Sequence, residues 1–286
     1  MKRAVKTISI FFGCILALHL TNRTYFRYNE KKYKGLPRPT THDYFYTWRF
    51  GDIHYRVTGK GQPLLLIHGI YPGANINQWR DIDMSVFKSN RIYCMDLLGF
   101  GRSEKPNLAY NAYLYIRLIN DFIKDVIQEP TIIAATDYSA AYAVMGYFFD
   151  AALYKKLILI SPSGMKDSYT LPSLKDYIAK LLMELPVLST SVYILLFHKM
   201  NRSTLITRLW HKLSIASRLP KVVHPLAFVG GANCRLPISA LLSKFLNVKI
   251  KDKFIRIKIP YIVLSNKYYR LSSIEESRKI RKFLNS

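Results

Sequence analysis

Short apolar runs that end in turn residues recur along this chain, with helically spaced stretches between them. That alternation restricts the fold more than any other feature of the sequence. "QPLLLIHG", "SNRIYCMDL", "TIIAAT" and "KLILISP" are apolar on both faces, as strands in the interior of a parallel sheet must be. Between them, "NAYLYIRLINDFIKDVI" sets Leu114, Leu118, Ile119, Phe122 and Ile123 on one helical stripe that stops before Pro130, and "SAAYAVMGYFF" reads as a second helix. Ahead of this unit, "DYFYTWRF" and "IHYRVTG" alternate around a Gly-Asp turn as two paired strands. The expected architecture is a doubly covered α/β sheet with function at the carboxyl ends of its strands.

From about 164 to 236 the pattern changes to helical segments rich in Leu, Lys and Pro, which reads as an inserted helical lid. Alternation then resumes with "RIKIPYIVLSN", a strand, and "SSIEESRKIRKFLNS", a helix. The amino-terminal end is of another kind. "MKRAVK" precedes the apolar run "TISIFFGCILALHL", 14 residues long, and then "TNRTYFRYNEKKYK". A basic head before an apolar stretch is the pattern of a signal or anchor. The run is shorter than the ~20 residues of a full span, but extension from Ala4 to Tyr25 brings it close. Residues 1–25 are therefore expected to form an uncleaved single-pass anchor and 26–41 a basic linker; basic residues on both flanks leave the side of the membrane open, with the extracytoplasmic side preferred for the remainder.

The net charge is +25, and the excess is concentrated late in the chain. From Leu185 to Ser286 there are 19 basic residues against Asp252, Glu275 and Glu276. Such a surplus suits an anionic membrane surface or a solvated face. No zinc-ligand spacing or RNP-like aromatic motif points to nucleic acid, and none is expected as a partner. Cys14, Cys94 and Cys234 are odd in number and far apart, which implies neither a disulfide framework nor a metal cluster. No cofactor and no metal is expected.

Within this pattern, "LLLIHG" followed by "YPGANINQW", and "YCMDLLGFGRSEKP" with its D-x-x-G-x-G-x-S spacing from Asp96 to Ser103, resemble the α/β-hydrolase family. The stretch "LLGFGRSEKPNLAYNAYLYIRLINDFIKDVI" is similar to a bacterial, membrane-tethered branch of it. The resemblance covers roughly Asp43 to Ser286. It implies a hydrolase core over 42–163 and 237–286 with the lid over 164–236. It also implies an oxyanion loop at His68 and Gly69, and oxyanion-hole N–H groups from Ile70 and Ala140. The family's nucleophile sits on a sharp strand-to-helix turn, G-x-S-x-G. Here "TIIAATDYSAAYAVMGY" gives Asp137-Tyr138-Ser139-Ala140-Ala141, so Asp137 replaces the first Gly and Ala141 the second.

Two registers are open at that turn. Ser139 is the candidate nucleophile in the first, and Asp137, as in dehalogenase-like and epoxide-hydrolase-like members, in the second. Either residue also serves as a helix N-cap without any chemistry. The family's acid and His are expected after the seventh and eighth strands. "SNKYYRLSS" offers no acid, and none of the seven histidines follows His224, so the last strand and its His read as missing. Asp167 is an alternative acid, and His198, His211 or His224 in the lid an alternative base. Without a triad, oxyanion donors and binding alone leave roughly 10³ to 10⁴ over water.

The reading is thus a serine-esterase-like protein acting on a carboxylic ester or lipid-like acyl substrate with weak or no activity. Its alternatives are a noncatalytic pseudo-hydrolase that binds a ligand or partner at the membrane, and an Asp137 hydrolase.

Overall fold

The computed structural model describes residues 2–33, 41–80, 84–165, 170–198, 225–264 and 274–285. Seven strands form one sheet: β1 (Asp43–Trp48), β2 (Gly51–Thr58), β3 (Gln62–Ile67), β4 (Asn90–Met95), β5 (Thr131–Thr136), β6 (Tyr154–Ile160) and β7 (Tyr261–Leu264). Their order is β1-β2-β4-β3-β5-β6-β7. β2 runs antiparallel to β1 and β4, and every pairing from β4 through β7 is parallel. This is the α/β-hydrolase fold the sequence predicts, hairpin included.

Strand alternation explains the two-sided core. Leu65 and Ile67 of β3 face one apolar cluster, while Leu64 and Leu66 face another with Trp79, Phe87 and Ile280. On the first face lie α2 (Ala112–Phe122), started by the Asn111 side chain accepting the Leu114 N–H at 2.9 Å, and α3 (Asp137–Phe149). Leu114, Leu118, Ile119 and Phe122 are buried, as their spacing predicts. α3 packs close to α2 and β6: a Cβ on Gly146 would come within 2.1 Å of the Tyr154 hydroxyl oxygen.

Two expectations are corrected. The strand read from "RIKIPYIVLSN" starts only at Tyr261, because Pro260 has no N–H for a ladder and residues Lys251–Arg256 wind into a 3₁₀ helix. The supposed linker from 26 onward is helical as far as Tyr33, since α1 runs unbroken from Lys2 to Tyr33. Its second half is held by the body. Phe26 and Asn29 are buried, Tyr25 meets Phe228 edge to face, and the Asn22 amide donates to the Val187 carbonyl at 3.0 Å. α1 is long and apolar enough to cross a membrane.

Between β6 and β7 lie α4 (Leu174–Glu184), α5 (Leu188–His198) and α6 (Arg235–Leu242). The last helix, α7 (Ile274–Asn285), covers the second sheet face through Ile280.

Candidate active site

β5 ends at Thr136 in extended geometry, and the next residue, Asp137, has φ +53 before α3 begins its turns. Positive φ on a non-glycine residue is sterically costly and needs surrounding structure to hold it. The hold is visible. The Ser163 hydroxyl donates to the Asp137 carboxylate Oδ1, and the Ser163 N–H donates to the Asp137 carbonyl at 3.1 Å. Across the turn, a Cβ built on Gly69 would lie 3.6 Å from the Asp137 Cβ and 3.1 Å from Thr136 Oγ1. The loop after β3 thus presses on the turn, and only a small residue leaves this clearance.

Gln78 ties the two together. Its Oε1 accepts the Gly69 N–H at 2.8 Å, and its Nε2 donates to Thr136 Oγ1 at 3.1 Å. Neither Gln78 nor Ser163 was singled out from the sequence; a Gln in a loop and a Ser after a strand carry no signal until the chain is folded.

Ser139 lies two residues further on, inside the first turn of α3. It is fully buried, and its hydroxyl donates to the His68 carbonyl at 2.6 Å. His68 itself is fully buried. Its Nε2 accepts the Leu97 N–H at 3.1 Å, which leaves the proton on Nδ1, 2.7 Å from the Gly69 carbonyl. Burial lowers the His68 pKa and favours this neutral form. Ile70 and Ala140 are both buried beside the turn.

The D-x-x-G-x-G-x-S stretch supports the site from below. Asp96 Oδ1 accepts the Ile76 N–H at 2.7 Å, and Oδ2 accepts from the Arg102 N–H at 3.0 Å and meets His54 Nδ1 at 2.7 Å. His54 Nε2 in turn is 3.3 Å from Asp43 Oδ1. Burial pushes the Asp96 pKa up, but the His54 hydrogen bond and charge outweigh it, and the net shift is downward. Gly101 is required there, with φ +48 and a Cβ position 2.2 Å from the Asp96 carboxyl carbon.

Thus the structure brings His68, Gly69, Ile70, Asp137, Ser139 and Ala140 to one place. Asp167, His211 and His224 lie outside the described residues, as does "SNKYYRLSS" from 265 on. His198 ends α5. A cavity of about 350 Å³ opens elsewhere, between Trp48, Phe50, Leu108 and Arg117.

The fold and motifs have known counterparts. Over 116 residues the chain is 31% identical to the 2-hydroxy-6-oxo-6-(2'-aminophenyl)hexa-2,4-dienoic acid hydrolase of Metapseudomonas resinovorans, covering 40% of each. A haloalkane dehalogenase of Bradyrhizobium diazoefficiens is 33% identical over 94 residues, 32% of this chain and 30% of the dehalogenase. The matches therefore span less than half the length of these relatives. Among solved structures, a serine hydrolase involved in carbazole degradation superposes with a TM-score of 0.54 at 20% identity, covering 84% of this chain and 85% of its own. A membrane phospholipase A described as a bacterial virulence factor gives 0.54 at 18%, covering 98% and 88%. The family model described as "Alpha/beta hydrolase family" matches residues 64–264, and with the sheet order, the strained turn after β5 and the packed Asp96 loop, the chain belongs to the α/β-hydrolase family.

Proposed function

We propose that this chain is a membrane-anchored hydrolase, held by α1, that uses Asp137 rather than Ser139 as its nucleophile. One observation carries the choice between the two registers: the positive φ of the strand-to-helix turn falls on Asp137, while the Ser139 hydroxyl is spent on the His68 carbonyl. Asp137 stands in the first turn of α3, where the helix dipole attracts negative charge. In this register the second oxyanion donor is the Tyr138 N–H instead of that of Ala140.

A carboxylate oxygen attacking a saturated carbon forms an ester bond as a halide, or the oxygen of an epoxide, leaves with the bonding pair. Water then adds to the Asp137 carboxyl carbon and the product alcohol departs, taking one of the water protons. With a halide the second proton passes to solvent; with an epoxide it neutralises the ring alkoxide. The first step needs no base. Similarity to haloalkane dehalogenases supports this class of substrate.

A second reading, a noncatalytic binding protein at the membrane, draws on the histidines. Among the described residues, His54 and His68 have their ring nitrogens committed to Asp96, Asp43, Gly69 and Leu97. One experiment separates the readings. The full chain is incubated with alkyl bromides and epoxides, and the peptide carrying Asp137 is weighed by mass spectrometry. An alkyl adduct on Asp137 that disappears in Asp137→Asn supports the carboxylate mechanism. Absence of any adduct favours binding, and fluorophosphonate labelling of Ser139 would return the chemistry to the serine.

A further inference from the structure

α4 is built inside out. Its body-facing side carries the charges: Lys180 is buried and paired with Glu184, and Asp176 meets Lys244 at 3.0 Å. The Glu184 carboxylate also accepts from the Ser239 hydroxyl of α6, at 3.1 Å. The opposite side is an apolar stripe at helical spacing, Leu174, Tyr177, Ile178, Leu181 and Leu182, edged by the exposed Lys175, with Leu174 76% and Leu181 67% exposed. α5 continues it through Leu188, Val192 and Leu195, all more than half exposed, after a bend of 92°. A surface of this size on a soluble face marks a docking site.

The course of α1 identifies what covers it. From Val5 to Thr21 no residue of that helix is buried, a length of about 25 Å at 1.5 Å per residue, close to the hydrocarbon thickness of a bilayer. Its first buried residue is Asn22, whose amide donates to the Val187 carbonyl and to the Ser191 hydroxyl at 2.9 Å. Val187 and Ser191 lie at the α4–α5 corner. If α1 spans, the lipid boundary lies at that corner. Arg23, Arg27, Lys31 and Lys32 are exposed on the next turns of α1, at the level of the headgroups, and suit an anionic surface.

We propose that the apolar face of α4 and α5 is immersed in the surface of an anionic bilayer beside α1, making the lid a lipid-contacting element that collects apolar substrate from the membrane. This rests on the reading of α1 as a membrane span. The lid leaves the core at Ser163, the residue that holds Asp137, so the lipid-facing lid and the turn are joined by one short stretch of chain.

The test uses the full chain reconstituted in phosphatidylcholine–phosphatidylglycerol vesicles that contain a diazirine-bearing phospholipid. After photolysis the lipid-modified peptides are mapped by mass spectrometry. Adducts on 174–197 as well as on α1, with none on 43–58, are the expected result. Leu181→Glu with Leu188→Glu, both at exposed positions, lowers the yield on 174–197 by about tenfold and leaves that on α1 unchanged. Adducts on α1 but not on 174–197 overturn the inference while leaving the anchor intact. Adducts nowhere on α1 overturn the anchor itself. Chain-to-chain crosslinks through α4, without lipid adducts there, replace the bilayer by a second copy of this chain.

Discussion

At the scale of single residues, the turn after β5 decides more than any other. The sequence left Asp137 and Ser139 as alternatives because both are small, polar and two residues apart; the sign of φ at a non-glycine position leaves no trace in the residue types. The folded chain gives Asp137 φ +53, the observation on which the proposed Asp137 register rests. The Asp96 loop illustrates the opposite case, where a glycine is legible and its reason is steric. Gly101→Ala places a methyl 2.2 Å from the Asp96 carboxyl carbon at φ +48, and the expected loss is roughly 3 kcal/mol or more, seen as a lower urea midpoint. The cysteines are also separable at this scale. Burial pushes the Cys94 and Cys234 thiols up to about 12, so both should resist maleimide at pH 8 until the protein is denatured. Cys14, by contrast, is exposed on α1.

At the scale of elements, the sheet and the helical character of 174–198 were legible, but the direction in which α4 faces was not. Strands buried on both faces announce themselves by runs such as "TIIAAT", and α2 by its stripe, because periodicity reports which residues share a face. It does not report whether that face turns inward. α4 has the same i, i+3, i+4 spacing as a core helix, yet its leucines point out and Lys180 and Glu184 point in. The length of α1 was underestimated for a related reason. The polar residues after Tyr25 read as linker, whereas Phe26 and Asn29 recur at helical spacing on the face that meets the body. That docking predicts a measurable effect. Phe26→Ala removes a buried ring at a cost of about 3 kcal/mol, and hydrogen exchange over 22–33 should then accelerate while the sheet stays protected. Equal acceleration in β3 and β5 would mean instead that α1 belongs to the main cooperative unit.

At the scale of the whole molecule, stability should depend on pH through the two buried groups beneath the turn. His68 is held neutral by burial, so its folded pKa lies below the unfolded value of about 6.5. The unfolded chain binds that proton first as pH falls, and stability is lost from about pH 6.5 downward until His68 titrates in the folded state. Asp96 has its folded pKa lowered too, by His54 against the effect of burial, so its contribution is present above about pH 4 and lost below it. With only 18 carboxylates against 43 Lys and Arg, acid also increases a positive charge that already repels itself. The urea midpoint is therefore expected to be level above pH 7 and to decline in two stages on acidification. His68→Gln, which has no titratable ring, should flatten the upper stage between pH 5 and 6.5 and leave the lower one. An unchanged upper slope in that variant would assign the proton to another histidine. It would also remove the reason to regard the His68–Gly69 loop, which presses on Asp137, as the pH-sensitive part of the site.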